Sequence, residues 1–84
     1  MIRLFPTGAR QYFNQDGLLH NENGPAIIDE VGSKAWIING HYHREDCPAI
    51  MFKSGKNLYF YKGKRVNVNS TEEFIRYIKL LAFI

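Results

Sequence analysis

Three histidines and one cysteine are the side chains in this 84-residue sequence that could bind a transition metal. His41 and His43 are two residues apart, so on a strand they would face the same side, and Cys47 follows four residues later. A structural zinc site needs four well-placed ligands, and the sequence has no Cys-x-x-Cys pair. His20 and His43 hold the same position in an internal repeat, which favours a structural role, either binding turn backbone or packing on a neighbouring ring. We expect neither a metal nor another cofactor.

Acidic side chains are a second group that could do chemistry, as a general acid and base. Asp29, Glu30, Glu45 and Asp46 fall in predicted turns, where solvated carboxylates are ordinary, and no pocket-forming loop accompanies them. Cys47 has no base evidently close to it, and a thiol reacts as a nucleophile only when it is deprotonated. The sequence therefore predicts a protein that is not an enzyme.

A basic and aromatic stretch is the strongest binding feature of the sequence. Five basic residues and no acidic ones lie between Cys47 and Thr71. Cations interleaved with aromatic rings suit single-stranded nucleic acid, because phosphates bind the cations and bases stack on the rings. Strand alternation would bury Leu58 and Phe60 and leave the tyrosines on the other face, and lysines also protect sheet edges from aggregation. The candidate binding residues, for a partner or a nucleic acid, are Lys53, Lys56, Tyr59, Tyr61, Lys62, Lys64 and Arg65.

An internal repeat of 23 residues organises the chain. The segment from His20 to Ile27 returns as the segment from His43 to Ile50. In the same register the repeat aligns Gly17, Gly40 and Gly63 and, four places before each glycine, the aromatic residues Phe13, Trp36 and Tyr59. The chain thus contains about two and a half copies of one supersecondary unit. The three aromatic residues are predicted to stack as a row along one face.

Each copy is predicted to form short strands joined by tight turns. Asn39-Gly40 is the strongest signal, because both central residues of a type I′ hairpin turn need positive φ. Asp16-Gly17 carries the same signal and Lys62-Gly63 a weaker one, while Pro25 and Pro48 should open strands because proline has no N–H. The predicted strands are Ile2–Phe5, Arg10–Asn14, Ala26–Asp29, Lys34–Ile38, Ala49–Lys53 and Asn57–Tyr61, with short links near Leu18–His20, His41–His43 and Lys64–Val66.

A helix is predicted after the repeats. Ser70-Thr71-Glu72-Glu73 is a capping box, in which the Ser70 hydroxyl accepts from the Glu73 N–H and the Glu73 carboxylate accepts from the Ser70 N–H. The apolar stripe that follows consists of Phe74, Ile78 and Leu81, widened by Ile75 and Ala82. This helix is expected to cover the apolar face of the sheet, and its loss to unfold the protein.

The predicted fold class is α+β, mainly β: an antiparallel β-meander of about two and a half repeats closed by one C-terminal α-helix. At 84 residues we expect one domain, residues 1–84, with repeats over residues 8–65 and the helix over residues 70–84. The net charge is +3, and most acidic residues precede the basic stretch, so the molecule should be electrically polar.

The expected compartment is the cytoplasm. A lone cysteine forms no intramolecular disulfide, and no basic-then-apolar signal starts the chain. The longest apolar run, Leu80 to Ile84, is far shorter than the about 20 residues of a membrane-spanning helix, so no membrane partner is expected.

The repeat resembles a family of MORN-like β-hairpin repeats common in bacteriophage and giant-virus proteins. The resemblance covers roughly residues 8 to 65 and rests on an aromatic residue, Asn-Gly, then His-Arg-x-Asp-Gly-Pro-Ala. These are here Trp36, Asn39-Gly40, His43-Arg44, Asp46 and Pro48-Ala49, with Cys47 in place of the glycine, and in part Phe13, Asp16-Gly17, His20, Asn23 and Gly24-Pro25-Ala26. It implies a β-meander and, for many such proteins, a phage origin; the family has no shared catalytic activity.

Three functional hypotheses follow. The first is a small phage protein that acts in the host cytoplasm by binding and inhibiting a bacterial macromolecule, such as a toxin nuclease or an immune effector, with RNA as a further component. The second is direct RNA or DNA binding through the basic and aromatic face. The third is a repeat module that self-associates through sheet edges or the apolar end Phe83-Ile84. The sequence leaves the partner's identity and the oligomeric state open.

Overall fold

A computed structural model of the chain describes residues 1–81. Over these residues it has nine short strands followed by one helix, which confirms the predicted class, mainly antiparallel β with a C-terminal helix. The elements are β1 (Ile2–Leu4), β2 (Arg10–Tyr12), β3 (Ile27–Ile28), β4 (Lys34–Ala35), β5 (Ile37–Ile38), β6 (His41–Tyr42), β7 (Ile50–Met51), β8 (Asn57–Tyr61), β9 (Lys64–Val66) and α1 (Thr71–Leu81).

Seven strands form one antiparallel sheet in the order β1-β2-β3-β4-β7-β8-β9, and β5 and β6 form a hairpin of their own. The predicted bounds are right for β8, and the predicted link near Lys64–Val66 forms the strand β9, whereas the other predicted strands are shorter than predicted. The predicted strand Lys34–Ile38 divides at Trp36. The Trp36 N–H donates to the Ala49 carbonyl at 2.7 Å, and the Trp36 carbonyl accepts from the His43 N–H at 3.0 Å. The chain therefore passes at Trp36 from the sheet into the β5–β6 hairpin.

Two of the three predicted two-residue turns are present. Asn39 and Gly40 have φ of 48° and 83°, and Lys62 and Gly63 have φ of 51° and 85°. Both central residues of each turn are thus left-handed, as a type I′ turn requires.

The prediction of a two-residue turn at Asp16-Gly17 is wrong. Gly17 has positive φ but Asp16 does not, and the Asn14 N–H donates to the Leu18 carbonyl across a three-residue loop. The Asn14 side chain stabilises this longer loop, because its Oδ1 accepts from the N–H groups of Asp16 and Leu18. Loops with the same pair of backbone bonds close residues 5–9, 29–33 and 52–56.

The longer first loop shifts the register of the aromatic residues by one. The His20 N–H donates to the Tyr12 carbonyl, and its counterpart, the His43 N–H, donates to the Trp36 carbonyl. Tyr12, not Phe13, is therefore the structural equivalent of Trp36, and Phe13 instead bridges to Leu19.

The predicted aromatic stack does not form. Among residues 1–81 the close ring pairs are Tyr42–Phe60, His43–Tyr61 and Tyr59–Phe74. Trp36 and Tyr59 are separated by β7, because β7 lies between β4 and β8 in the sheet. Two strand spacings of about 4.8 Å place the backbones of Trp36 and Tyr59 about 10 Å apart, so their rings do not stack.

The face of β8 that is most buried is the opposite of the predicted one. Tyr59 is buried, 6% exposed, whereas Leu58 and Phe60, which alternation was expected to bury, are half-buried. The Ala49 N–H donates to the Leu58 carbonyl, one residue out of step with the Ile50↔Leu58 pair. This offset is the pattern of a β-bulge in which Ala49 and Ile50 lie opposite Leu58. Tyr59 is buried because its face of β8 packs on Phe74 of α1.

The core consists of two clusters. The first contains Ala26, Ala35 and Ile37, with Leu19, Ile27 and Ile50 packed against them. The second contains Tyr59, Val66 and Phe74, with Tyr61, Val68 and Ile78. The expectation that α1 covers the whole apolar face is therefore wrong: in the described chain α1 seals the second cluster, at the β8–β9 end, and Leu19 packs on the first.

The predicted cap of α1 is present with one difference. The Ser70 hydroxyl accepts from the Glu73 N–H at 3.2 Å, but the Glu73 carboxylate accepts from the N–H of Asn69 rather than that of Ser70. Phe74 is fully buried and Ile78 packs beside it, as the stripe predicted, whereas Ala82 and the apolar end Phe83-Ile84 lie outside the described residues. Within residues 1–81, no helix combines the length and the apolar composition needed to cross a bilayer.

Candidate binding surface

The structure divides the candidate basic residues into two groups. Lys53 and Lys56 lie in the loop before β8, and Lys62, Lys64 and Arg65 lie at the other end of β8 and on β9. Lys56 and Lys62 are six residues apart along an extended strand, which at about 3.3 Å per residue is about 20 Å. The basic stretch is therefore two separate surfaces, here called the basic loop (Lys53, Lys56) and the basic hairpin (Lys62, Lys64, Arg65).

Neighbouring residues hold the turn of the basic hairpin in place. The Lys62 N–H donates to Nδ1 of His43 at 2.9 Å, and the Gly63 N–H donates to the Tyr42 carbonyl at 2.9 Å. A Cβ at Gly63 would come within 2.9 Å of the His41 ring, so His41 packs directly on the turn. The backbone of this turn is therefore ordered before any partner binds.

The two candidate tyrosines take different places. Tyr61 is half-buried, with the centroid of the His43 ring 5.1 Å from its own and the Lys62 ammonium 5.4 Å from its centroid. Tyr59 packs its ring on Phe74 at 5.0 Å, and its hydroxyl bonds to the Thr71 hydroxyl at 2.9 Å. The expectation that Tyr59 lies on an open face of the sheet is wrong, because α1 covers it.

The five lysines and arginines of the two surfaces are exposed and keep their charges uncompensated. Over residues 1–81 the ion pairs within 4.0 Å join His20 to Glu22, His43 to Glu45 and Arg44 to Asp46, and none involves the basic loop or the basic hairpin. An exposed charge without an internal partner is available to an external one.

The structural interpretation of His20 and His43 is confirmed. Nδ1 of His20 accepts from the Asn39 N–H at 2.9 Å, the same bond that His43 makes to Lys62 one repeat later. The ring of His43 also packs on Tyr61, as the alternative structural role anticipated. Within residues 1–81, no three histidine, cysteine or carboxylate side chains are grouped closely enough to hold a metal ion.

Most of the acidic candidates have local partners. Oδ1 of Asp29 accepts from the N–H groups of Val31 and Ser33 and closes its own loop. Glu45 and Asp46 pair with His43 and Arg44. Glu45 and Asp46 border an open groove of about 570 Å³ whose lining includes Trp36.

One face of Trp36 in this groove is already occupied. The Arg44 guanidinium lies 3.8 Å from the ring centroid, a cation–π contact, and its Nη1 donates to the Pro48 carbonyl at 3.2 Å. Within the groove, Trp36 is therefore stacked with Arg44 of the same repeat, and this face of its ring is not open to an external ring.

Sequence reasoning missed two further exposed cations. Arg10 and Lys34 lie in one cross-strand row, Leu4↔Arg10↔Ile28↔Lys34↔Met51, which runs across the sheet. Residues directly opposite each other share a face, so this row alternates apolar and basic side chains. Only the strand register shows that Arg10 and Lys34 share a row, because the two residues are 24 positions apart in the chain.

No family model, curated protein or solved structure matches the chain. The fold and the surface therefore define the class by themselves. Over residues 1–81 it is a mainly antiparallel β-sheet protein with one C-terminal helix, which packs on the last hairpin, and the turn of that hairpin carries basic side chains without ion-pair partners.

Proposed function

We propose that this protein is a non-catalytic binding module that attaches to a macromolecule of a bacterial host through the basic hairpin and inhibits it. The observation that carries the proposal is the basic hairpin itself: three exposed cations without ion-pair partners among residues 1–81, on a turn fixed by His43 and His41. Because this turn is ordered in advance, docking costs little conformational entropy. The bacterial host, and a defence component such as a toxin nuclease or an immune effector as the target, follow from the MORN-like resemblance.

A protein target suits this surface better than a single nucleic-acid strand. Single-stranded nucleic acid needs a continuous basic track with open rings for the bases. The basic loop and the basic hairpin are about 20 Å apart by strand length. Tyr59 is covered by α1, and the Tyr61 ring already contacts His43 and Lys62. A compact group of three cations instead matches an acidic patch on a protein.

Charge reversal with a matched control tests the proposal. The tagged protein is recovered from infected bacterial cells, with and without nuclease treatment, as the native chain, as the triple variant Lys62→Glu, Lys64→Glu, Arg65→Glu, and as the control Lys53→Glu, Lys56→Glu. We expect one host protein to co-purify with the native chain and the control and to be lost from the triple variant. Circular dichroism should show the same fold for all three.

Two results would contradict the proposal. A triple variant that retains the host protein would mean that the basic hairpin is not the interface. Release of all partners by nuclease would favour nucleic acid as the ligand, as would a direct mobility shift that weakens steeply between about 50 and 200 mM salt.

A further inference from the structure

The two edges of the seven-stranded sheet differ in how they are protected. At one edge, β9 carries Lys64 and Arg65, and its Val66 is buried against α1. At the other edge, β1 is the outermost strand of the described chain, and Ile2 and Leu4 are 54% and 69% exposed. Charged side chains and covering helices are the usual devices that stop a sheet edge from pairing with another strand. Within residues 1–81 no helix packs over the β1 edge, and Arg3 is the one charged side chain of β1.

Backbone groups of β1 are directed away from the sheet. The Phe13 N–H donates to the Met1 carbonyl, and the Phe5 N–H donates to the Ala9 carbonyl, so residues 1 and 5 bond towards β2. In an antiparallel ladder the direction of bonding alternates along the strand. The N–H and C=O groups of Ile2 and Leu4 therefore point outwards, where an added strand would find two donors and two acceptors.

The charge around this edge is positive. Residues 1–13 contain two arginines and no acidic residue. Arg3 is exposed at the middle of β1, with its guanidinium 5.1 Å from the Phe5 ring, and Arg10 lies opposite Leu4 on β2. Within residues 1–81 neither arginine takes part in an ion pair.

The positive charge of Arg3 disfavours a second copy of the chain as the added strand. If every outward N–H and C=O group of β1 is hydrogen-bonded to a second antiparallel copy, Ile2 lies opposite Leu4 of that copy. The two Arg3 residues then lie directly opposite each other, in the pair whose Cα atoms are only about 4.5 Å apart. Like charges directly opposite each other destabilise a strand pair, whereas a carboxylate opposite Arg3 stabilises it.

We infer that β1 is a docking edge for an extended acidic segment of a partner protein, which adds to the sheet as an eighth strand with a carboxylate opposite Arg3 and apolar residues on either side. Main-chain bonds to Ile2 and Leu4 would supply affinity, and the Arg3 pair would supply selectivity. This surface is at the opposite edge from the basic hairpin, so the inference goes beyond the proposed function and does not depend on it.

The test uses two blocked heptapeptides that alternate valine and threonine around a central residue, one with aspartate and one with lysine. Each is titrated into the full ¹⁵N-labelled chain, and amide exchange is followed by NMR. The aspartate peptide should slow exchange of the Ile2 and Leu4 amides by at least about tenfold at saturation, because both become hydrogen-bonded. The lysine peptide should bind about fivefold more weakly, because it places a like charge opposite Arg3.

Two variants complete the experiment. Arg3→Glu should reverse the preference, so that the lysine peptide binds better than the aspartate peptide. Arg76→Glu, an exposed position on α1 outside both basic surfaces, should leave both affinities unchanged.

Three results would overturn the inference. The first is the absence of aspartate-peptide binding at millimolar concentration, and the second is equal binding of the two peptides. The third is protection of Ile2 and Leu4 that grows with protein concentration when no peptide is present, which would assign the edge to a second copy of the chain.

Discussion

Nδ1 of His43 accepts a hydrogen bond from the backbone N–H of Lys62 at 2.9 Å, across 19 residues. His20 makes the same bond to Asn39, also at 2.9 Å and across 19 residues. Lys62 and Asn39 are the first left-handed residues of their type I′ turns, with φ of 51° and 48°. Each copy of the repeat therefore anchors the turn of the copy that follows, which couples neighbouring copies beyond the sheet ladder.

Removing either histidine ring should loosen one turn. We expect His43→Ala and His20→Ala each to lower the free energy of unfolding by about 1–2 kcal/mol, because a backbone donor loses its partner and the ring loses its packing. Urea denaturation measures the change. Glu45→Ala is the matched control, since its pair with His43 is exposed and should contribute less than about 0.5 kcal/mol. Equal losses in His43→Ala and Glu45→Ala would show that the turn does not depend on the histidine.

The same bonds fix the tautomer of both rings. A nitrogen that accepts from an N–H carries no proton, so the proton of each neutral ring must reside on Nε2, where it faces Glu22 or Glu45. Long-range ¹H–¹⁵N spectra at mildly alkaline pH should show the Nε2–H tautomer for His20 and His43. A spectrum with the proton on Nδ1 of either ring would exclude its bond to the turn.

Local residue patterns predicted the type of most turns, and side-chain bonds explain the exception. Asn39-Gly40 and Lys62-Gly63 form the expected type I′ turns. Asp16-Gly17 does not, because Oδ1 of Asn14 accepts from two N–H groups and closes a longer loop. The signal was present as an asparagine three residues before the glycine, and Asp29 with Gly32 repeats it.

The sequence predicted contacts between distant segments less well than it predicted turns. The repeat placed His20 and His43 at equivalent positions, but the burial of Tyr59 depends on where α1 packs on the sheet. Alternation separates the two faces of β8 but cannot show which of them is buried, because that depends on a contact with another element. The binding surface was likewise predicted as one stretch, and the length of β8 divides it into two.

A comparison of two glycines separates backbone strain from steric contact at the turns. Gly17 and Gly63 have nearly the same φ, 81° and 85°, but a Cβ at Gly17 meets open space and one at Gly63 lies 2.9 Å from the His41 ring. Gly17→Ala should cost about 1–2 kcal/mol, which is the cost of a left-handed conformation. Gly63→Ala should cost about 1 kcal/mol more by thermal or urea unfolding. Equal costs would mean that His41 moves aside freely and does not support the basic hairpin.

The packing of α1 on β8 and β9 should control the stability of the C-terminal half. Phe74 is fully buried against Tyr59, whereas Leu80 on the same helix is 60% exposed. Phe74→Ala should lower the free energy of unfolding by about 3–5 kcal/mol, the usual cost of a truncated buried ring, and Leu80→Ala by less than about 0.5 kcal/mol, as for other exposed sites. Because a small domain has a total stability of only about 5–15 kcal/mol, the first change should unfold a substantial part of the population at moderate temperature. Circular dichroism with urea titration measures both, and similar losses in the two variants would mean that α1 is held by its whole surface rather than by Phe74.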